Sequence, residues 1–454
     1  MSYAAADGRI ALALTGESMI TRGLRPFAEP RFLALRDLLR EADAAFTNGE
    51  MLFHDYEGSP THRSATWMRS DPRHIGDLQW LGFDLVATAN NHAVDYGEAG
   101  LLTSLRNLTA AGVTHAGSGR NLAEAVGAAY LDTPAGRVAL IAGTTSGRQQ
   151  SRAGEQRPDL QGRPGTNLLR WNAEWHVDDA AFEALRRIAD AHGWPQRPPA
   201  DWTRAFAFDA VAPEDVVYLS DRSMFPSSDD PVSRYVRSDG FQRRSVMHAT
   251  DVERNLRSIR DAKRMADWVI YSLHNHEDGG TQEVPSEHVI AFAHAAIEEG
   301  ADVVVGHGPH RDRGIEVYHG KPIFYSLGNF IAENNTVARL PQDALDQFGL
   351  GLTDSAVDLY DKRDARAHAE GLSHSGLGPF GWTAVAVVGF DGGALSRIEL
   401  HPVDLVPTAP RSQAGRPMLA DGEVAAAALD AFQSMSAPFG TTIDIVEGIG
   451  RVRL

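Results

Sequence analysis

Predicted strands and helices alternate along two stretches of this chain, residues 9–145 and 251–305. In the first stretch, the apolar segment from Arg9 to Thr15 predicts a buried strand. Apolar residues at three- and four-residue spacing from Pro30 to Ala45 then predict an amphipathic helix. Repeated strand and helix units are typical of α/β folds, in which helices cover a mostly parallel sheet. The sequence therefore predicts the α/β class.

Two irregular segments interrupt this alternation, at about residues 146–248 and 334–377. Glycine, arginine, proline and tryptophan are scattered through the first of them, where only Asp179 to His192 shows a clear helical period. We interpret both segments as insertions into a single domain that spans residues 1–454.

The composition excludes several kinds of chemistry. Because the chain has no cysteine, it cannot form thiolate metal sites, disulfides or cysteine nucleophiles. The formal net charge of −17 argues against binding to nucleic acid or to an anionic membrane, since both require a cationic face. No window approaches the roughly 18 apolar residues of a membrane span, and the N-terminus lacks the pattern of a secretory signal. We therefore expect a cytoplasmic protein that binds neither nucleic acid nor membranes.

Five polar loops follow predicted strands and are rich in groups suited to metal or proton chemistry. They are Gly16 with Glu17, Asn48 to Glu50, Asn90 to Asp95, His274 to Asp278, and His307 with His310. Because parallel strands of one sheet end at the same edge, we expect these loops to converge. Carboxylate, amide and imidazole groups without sulfur suit a divalent metal ion such as calcium, manganese or zinc, and the set does not choose among them.

The same loops contain distinctive motifs, which read GESMITRG, TNGE, ATANNHAVDYGEAGL, SLHNHE and GADVVVGHGPHRDRGIEVYHGKPIFYSLGNF. In these motifs the chain resembles the CapA-like proteins of poly-γ-glutamate capsule synthesis, whose fold is that of calcineurin-like metallophosphoesterases. The resemblance covers most of residues 8–145 and 250–332. It implies a four-layer α/β/β/α sandwich with the site at the sheet edges.

The resemblance also implies roles for individual residues. His92 corresponds to the proton-handling histidine, and Asp95 could orient it, because a carboxylate partner fixes the tautomer of a histidine. His310 is a candidate for either metal binding or proton transfer. The candidate metal ligands are Glu17, Glu50, Asn91, His274 and His307.

Three departures from the family pattern concern the number of metal ions. Glu17 replaces the aspartate of the first motif, the usual Asp-x-His is absent, and Gly308 stands where many relatives have a further histidine. These departures favour one ion over the two-ion centre of a phosphatase.

The family resemblance includes calcineurin-like epimerases, which invert the Cα of a C-terminal residue in lasso peptide precursors. That chemistry requires a base and an acid on opposite faces of the Cα and a positive field for the enolate-like intermediate. The sequence supplies His92 with Asp95 for one face, and the residues for the other face are His310 or His276 with Asp278 or Asp312. Arg22, Arg311 and Arg313 are candidates to bind a peptide carboxylate.

The leading hypothesis is therefore a metal-dependent epimerase that acts on a peptide substrate. A metallophosphoesterase is the alternative enzyme. A protein that binds or assembles poly-γ-glutamate without chemistry is the alternative that is not an enzyme.

Overall fold

In a computed structural model, the chain forms two compact units. The structure describes residues 8–62, 66–196, 205, 206, 208, 210–219, 233–369 and 381–454. The first unit comprises Met1–Leu168, Arg257–Pro285 and Ala293–Leu454, and the second comprises Leu169–Leu256 and Ser286–Phe292. All of the candidate site residues belong to the first unit.

The strands are numbered here in chain order. They are β1 (Ile10–Met19), β2 (Ala44–Asn48), β3 (Leu52–Phe53), β4 (Arg69–Ser70), β5 (Leu85–Ala87), β6 (Thr114–Ala116), β7 (Ser118–Gly119), β8 (Ala129–Thr133), β9 (Gly136–Thr144), β10 (Gly165–Thr166), β11 (Trp171–Val177), β12 (Val216–Leu219), β13 (Ser233–Arg237), β14 (Gln242–Met247), β15 (Trp268–His274), β16 (Val303–His307), β17 (Ile315–Tyr318), β18 (Lys321–Phe324), β19 (Asn329–Ala332), β20 (Trp382–Asp391), β21 (Ala394–Asp404), β22 (Met418–Leu419), β23 (Ile443–Val446) and β24 (Ile449–Val452).

The α-helices of the described residues are numbered in the same way. They are α1 (Pro30–Glu41), α2 (Ile75–Leu81), α3 (Gly97–Ala110), α4 (Leu122–Val126), α5 (Asp179–His192), α6 (Ala249–Lys263), α7 (Glu287–Glu298), α8 (Gln342–Asp346), α9 (Ala356–Ala369) and α10 (Gly422–Ser436). Within the described part of the chain, no helix has both the length and the apolar character that a membrane span requires.

A ten-stranded sheet and a six-stranded sheet form the framework of the first unit. The larger sheet has the order β23-β24-β21-β20-β1-β2-β5-β6, with β19 also paired to β1 and β22 to β21. Its strands β1, β2, β5 and β6 are parallel, and β19 runs parallel to β1. The smaller sheet has the order β17-β18-β16-β15-β9-β8, in which β9, β15, β16 and β18 are parallel.

One hydrophobic core is shared by the two sheets. Leu12 and Leu14 of β1 lie in the same buried cluster as Leu140 of β9 and Ile270 of β15. Because side chains alternate along a strand, Ala13 of β1 points to the other face of the larger sheet, where it belongs to a cluster with residues of α1, α2 and α3. The larger sheet therefore has the smaller sheet on one face and helices on the other.

Helix α1 shows how local sequence produces these elements. Pro30 occupies its first turn, where a missing N–H is tolerated. Phe32, Leu35 and Leu39 follow at helical spacing and are buried. Helix α2 ends at Gly82, whose φ of 119° is the left-handed conformation that favours glycine at a helix end.

The second unit contains a four-stranded sheet with the order β12-β13-β11-β14. Helix α5 begins after Asp178, whose side chain accepts a hydrogen bond from the N–H of Ala181. Phe182 of this helix packs in a small core with Val177 of β11 and Val217 of β12. This unit therefore has a core of its own.

The structure confirms the α/β class and the predicted helix from Asp179 to His192. The prediction that segments 146–248 and 334–377 are irregular is wrong in two places, since the first contains the four-stranded sheet and the second contains α9. Residues 197–204 and 370–377 of these segments are among those outside the described residues. The strands and α9 were missed because few of their positions alternate cleanly between apolar and polar side chains.

The shared core leads to a prediction about stability. We expect Leu140→Ala to lower the free energy of unfolding by about 2–5 kcal/mol, because it opens a cavity between the two sheets. The matched control is Leu160→Ala, since Leu160 is 66% exposed and its truncation should change stability by no more than about 0.5 kcal/mol. Urea denaturation of both variants measures the difference, and equal losses would contradict the assignment of this core.

Candidate metal and acid–base site

Two rows of polar residues meet between the sheets. In the larger sheet, Glu17 of β1 pairs in register with Asn48 of β2 on one side and with Asn329 of β19 on the other. In the smaller sheet, His274 at the end of β15 pairs with His307 at the end of β16. Oε1 of Glu17 lies 3.3 Å from Nδ1 of His274, so the rows are in contact. The loops do converge, and two sheets supply them, whereas the prediction from parallel strands considered a single sheet.

Glu17 lies within β1, whereas the sequence predicted that the strand ends before it. A β-bulge between Glu17 and Ser18 shifts the pairing with β19. The neighbouring Gly16 allows the two backbones to approach, since a Cβ there would lie 1.9 Å from the main-chain oxygen of Gly328. Oε2 of Glu17 is 2.7 Å from Nδ1 of His310. The sheet therefore fixes the position of this carboxylate.

Glu50 lies among three histidines. Its carboxylate oxygens are 3.7 Å from Nε2 of His92, 3.8 Å from Nδ1 of His310 and 4.0 Å from Nε2 of His274. The side chain has no exposed surface. Burial, reinforced by the negative charge of Glu17, raises the pKa of Glu50 to about 7, although the histidines act in the opposite direction.

The closest charged partners of the buried carboxylates of Glu17 and Glu50 are imidazoles, and the shortest contact is the 2.7 Å ion pair between Glu17 and His310. None of their four oxygens accepts a well-formed hydrogen bond from the described residues. An ionised carboxylate buried in this way is strongly destabilising unless a cation compensates it. Buried carboxylate oxygens that lack well-formed hydrogen bonds and lie close to imidazole nitrogens are typical of a divalent cation site.

Three overlapping groups of side chains could hold such a cation, with ligand atoms within 4.8 Å of one another. They are Glu17 with His274 and His307, Glu50 with His274 and His276, and Glu17 with Glu50 and His310. Mixed imidazole and carboxylate ligands suit ions such as manganese or zinc. The residues present therefore fit a divalent metal ion.

His307 and His274 are held in the neutral form that metal ligands require. Nε2 of His307 is 2.7 Å from Oγ of Ser272, and its Nδ1 is 3.1 Å from Nδ1 of His274. Burial lowers the pKa of His274 to about 3 and lowers that of His307 well below its usual value. Ser272 acts as a partner that orients the ring of His307.

His92 and Asp95 form an imidazole–carboxylate pair. Nδ1 of His92 donates to Oδ2 of Asp95 over 2.7 Å, which leaves Nε2 directed at Glu50. Asp95 also accepts the main-chain N–H of Met68 at 2.7 Å, and the N–H of His92 donates to the side chain of Asn90 at 3.0 Å. The turn therefore fixes both the orientation and the tautomer of His92.

His310 forms a second pair of this kind. Its Nδ1 lies 2.7 Å from Oε2 of Glu17 and 2.9 Å from Oδ1 of Asn329, and its side chain is 35% exposed. Burial opposes the charged form, but the carboxylates of Glu17 and Glu50 outweigh it and raise the pKa of His310 above the usual value. The acidic partner of His310 is thus Glu17, and not Asp278 or Asp312 as the sequence suggested.

His276 lies at the rim of the cluster. Its main-chain N–H donates to Oγ of Ser146 at 2.6 Å, and its ring centroid is 4.9 Å from that of His274 and 5.8 Å from that of His310. Burial, followed by the charges of those two histidines, lowers the pKa of His276 well below its usual value. Asn91 is in the turn just before His92, and its metal-binding role stays a prediction.

The three candidate arginines differ in how their side chains are used. Arg22 forms an ion pair with Glu333 and donates to two main-chain oxygens. Arg313 is fully buried and also donates within the protein. Nη1 of Arg311 is 2.6 Å from Oε1 of Glu283, and its side chain is 19% exposed. Arg22 is exposed to the same fraction, 19%, but its guanidinium contacts three acceptors, so Arg311 is the better placed of the two to meet a ligand.

Gly308 is required by the backbone. Its φ is 126°, and a Cβ there would lie 2.2 Å from the main-chain oxygen of Asn275. A histidine cannot occupy this position without moving the loop that carries His274 and His276. Since the backbone explains this glycine, its presence does not indicate how many metal ions the site holds.

Three site residues were absent from the predicted ligands and catalytic groups. Asn48 lies in the TNGE motif and Asn329 in the SLGNF motif, so the motifs could have indicated both. Ser272 is an ordinary residue of a buried strand, and only the fold reveals that it contacts His307.

The family model described as "Bacterial capsule synthesis protein PGA_cap" matches residues 11–334. "Uncharacterized protein y4uA" of Sinorhizobium fredii is 33% identical over 99% of this chain and 94% of its own length. "Probable polyglutamine synthesis accessory protein Rv0574c" of Mycobacterium tuberculosis is 26% identical over 61% of this chain and 52% of its own length. "PGA biosynthesis protein CapA" of Bacillus subtilis is 39% identical over 20% of this chain and 23% of its own length.

The contact at Gly308 predicts the outcome of a matched pair of substitutions. Gly308 and Gly280 both have positive φ values, 126° and 115°, but a Cβ on Gly280 would have no atom within 4 Å. We expect Gly280→Ala to cost about 1–2 kcal/mol from backbone strain. Gly308→Ala should cost a further amount of about 1–3 kcal/mol from the clash with Asn275. Urea denaturation measures the free energy of unfolding of both variants. Equal decreases in the two variants would contradict the predicted cost of the clash with Asn275.

The environment of Glu50 predicts a pH-dependent difference in stability. Glu50 has a pKa of about 7 in the folded protein, compared with an ordinary value of 4.5. Between these values the unfolded chain releases the proton and the folded protein keeps it, so the wild type loses stability as pH rises through this window. Glu50→Gln removes this loss. The free energy of unfolding of this variant should therefore rise relative to that of the wild type from pH 4.5 to 7, and the difference should then stay constant.

The measurement is urea denaturation of EDTA-treated protein across this pH window. Glu98→Gln, which changes an exposed glutamate of α3, is the control and should show no such trend. An advantage of Glu50→Gln that stays constant or shrinks with rising pH would contradict the assignment. Glu50→Gln should also weaken Mn²⁺ binding, because it removes an anionic ligand.

Proposed function

This chain belongs to the bacterial capsule synthesis family PGA_cap, and from that premise we propose that it is a metal-dependent enzyme that inverts a Cα centre of a peptide by acid–base catalysis. The observation that carries the proposal is a pair of imidazole–carboxylate units. His92 with Asp95 and His310 with Glu17 approach different oxygens of Glu50. Epimerisation uses two proton-transfer groups, whereas a binding protein requires neither.

In this proposal His92 is the base. Asp95 accepts a hydrogen bond from Nδ1 and stabilises the imidazolium, so Nε2 can remove the Cα proton. The electron pair of the broken C–H bond moves toward the neighbouring carbonyl and gives an enolate-like intermediate. His310, whose protonated form is favoured by Glu17 and Glu50, then donates a proton to the opposite face. A new C–H bond forms with inverted configuration, and the peptide gains and loses no atoms.

The metal ion has one role in this scheme. A divalent cation held by Glu17, Glu50, His274 and His307 would supply positive charge that lowers the free energy of the enolate-like intermediate. Burial keeps His274 and His307 neutral, which suits them to bind a cation. Glu17 would contact both this cation and His310.

We assign the binding of a substrate carboxylate to Arg311, which follows His310 in the chain and is partly exposed. A peptide substrate is supported by the names of two relatives, which refer to PGA biosynthesis and to polyglutamine synthesis. The substrate that we propose is the C-terminal residue of a ribosomal precursor peptide of the lasso type. A γ-linked glutamate chain is the alternative substrate.

We also propose that the first unit has the four-layer arrangement of the calcineurin-like metallophosphoesterases. The two sheets with one core, and the helices on the outer face of the larger sheet, support this arrangement. The second unit would then be an insertion into one domain of residues 1–454.

A metallophosphoesterase is the second candidate function. It is supported by the overlap of two ligand groups, Glu17 with His274 and His307, and Glu50 with His274 and His276. Shared ligands of this kind are compatible with two adjacent ions, which phosphoesterases use to activate water and to stabilise the leaving group.

Deuterium exchange tests the proposal. The protein is incubated with Mn²⁺ in D₂O together with synthetic peptides that differ in their C-terminal residue and with a γ-linked glutamate oligomer. We expect one of these probes to gain a single deuterium at one Cα and to yield the inverted residue. His92→Ala should reduce the exchange rate by about 10²-fold or more, because it removes the base.

His62→Ala is the matched control, because the side chain of His62 is 92% exposed. Its exchange rate should equal that of the wild type. If no probe exchanges and p-nitrophenyl phosphate is hydrolysed with Mn²⁺, the phosphoesterase candidate replaces the epimerase. If neither reaction occurs, the role of a binding protein is favoured.

A further inference from the structure

We propose that Arg313 is a positioning residue, which holds the histidine loop of residues 274–278 against the histidine loop of residues 307–310. The inference rests on the proposed metal site, because these loops carry four of its histidines. It assigns to Arg313 a role inside the protein, although the sequence suggested that this residue binds a substrate carboxylate.

The hydrogen bonds of Arg313 support this role. Nη1 donates to Oδ1 of Asn275 at 2.7 Å, Nη2 donates to the main-chain oxygen of Glu277 at 2.9 Å, and Nε donates to that of Gln282 at 2.9 Å. The side chain has no exposed surface. Its own main-chain N–H donates to the oxygen of Ser326 at 3.0 Å. Arg313 therefore ties one histidine loop to the chain segment that immediately follows the other.

Asn275 completes the connection between the loops. It lies between His274 and His276, and its main-chain N–H donates to the oxygen of His307 at 2.7 Å. Its main-chain oxygen packs against Gly308 so closely that no Cβ fits there. A change in the side chain of Asn275 would therefore be transmitted to both loops, and Arg313 holds that side chain.

The far side of the first loop is held independently. Oγ1 of Thr145 donates to one carboxylate oxygen of Glu277 at 2.5 Å, and Oγ of Ser146 donates to the other at 3.1 Å. Arg313 binds the main-chain oxygen of the same Glu277. Loss of Arg313 should therefore leave the loop attached to Thr145 and Ser146, which follow β9, and to His307 through the main chain of Asn275. It should release the side chain of Asn275 and the main-chain oxygen of Glu277 from the segment that follows His310.

Geometry, more than charge, explains the choice of arginine. The three acceptors of Arg313 are an amide oxygen and two main-chain oxygens, none of which carries a full charge. A guanidinium presents several donors in a rigid fork, whereas a lysine ammonium is a single compact donor group on a flexible stem. A lysine at this position would keep the charge but could not span the three acceptors.

The test measures Mn²⁺ affinity by calorimetry on the full-length protein and its variants. We expect Arg313→Gln and Arg313→Lys to weaken Mn²⁺ binding by about tenfold or more, because the loop that carries His274 and His276 loses an anchor that supports the ligands from outside. The matched control is Arg170→Gln, because Arg170 makes a two-point ion pair with Asp251 in the second unit. Its Mn²⁺ affinity should equal that of the wild type.

An Mn²⁺ affinity of Arg313→Lys within twofold of the wild type would overturn the inference, since charge alone would then suffice. If Arg313→Gln fails to fold, Arg313→Lys and Asn275→Ala provide the comparison. If the wild type takes up no Mn²⁺, the proposed metal site fails, and NMR signals of the site histidines decide the inference. The signals of His274 and His307 should then move together in Arg313→Lys, and unchanged signals would overturn it.

Discussion

The register of two parallel strand ladders places the chemical groups of the site in contact, and the rest of the structure depends on it. In one ladder Glu17 stands between Asn48 and Asn329, and in the other His274 stands beside His307. A shift of one residue in either ladder would turn these side chains to the opposite face. The same shift in β1 would move its leucines from the core between the sheets to the face that the helices cover. The core and the site therefore impose one common register.

This arrangement opposes stability locally. Glu17 and Glu50 are fully buried, and their oxygens lack well-formed hydrogen bonds from the described residues. The shared core of the two sheets must offset this cost in the absence of a cation, and a bound cation would remove much of it. The rings of His92 and His310 both lie within 4 Å of the carboxylate of Glu50. The two carboxylates therefore lower stability in the metal-free protein while providing ligands for the proposed cation.

The sequence was sufficient to predict the α/β class and the convergence of the polar loops, because strand-end motifs are local patterns. The local patterns could not show which loop belongs to which sheet, since strand pairing is a long-range property. Gly308 was interpreted as the absence of a ligand because its close contact with the main chain of Asn275 cannot be seen in the sequence. Arg313 was predicted to bind a substrate carboxylate, and its burial and its three acceptors are visible only in the fold. Charged residues near a predicted site are therefore ambiguous until their partners are known.

The central claim is that the buried carboxylates and histidines hold a divalent cation between the two sheets. The most direct measurement is anomalous X-ray diffraction from crystals of the protein grown with Mn²⁺. The account predicts an anomalous peak bounded by Glu17, Glu50 and His274, with His307 or His310 as a further ligand. A map in which this position holds only water, or in which the peak lies on residues outside these strand ends, would contradict it.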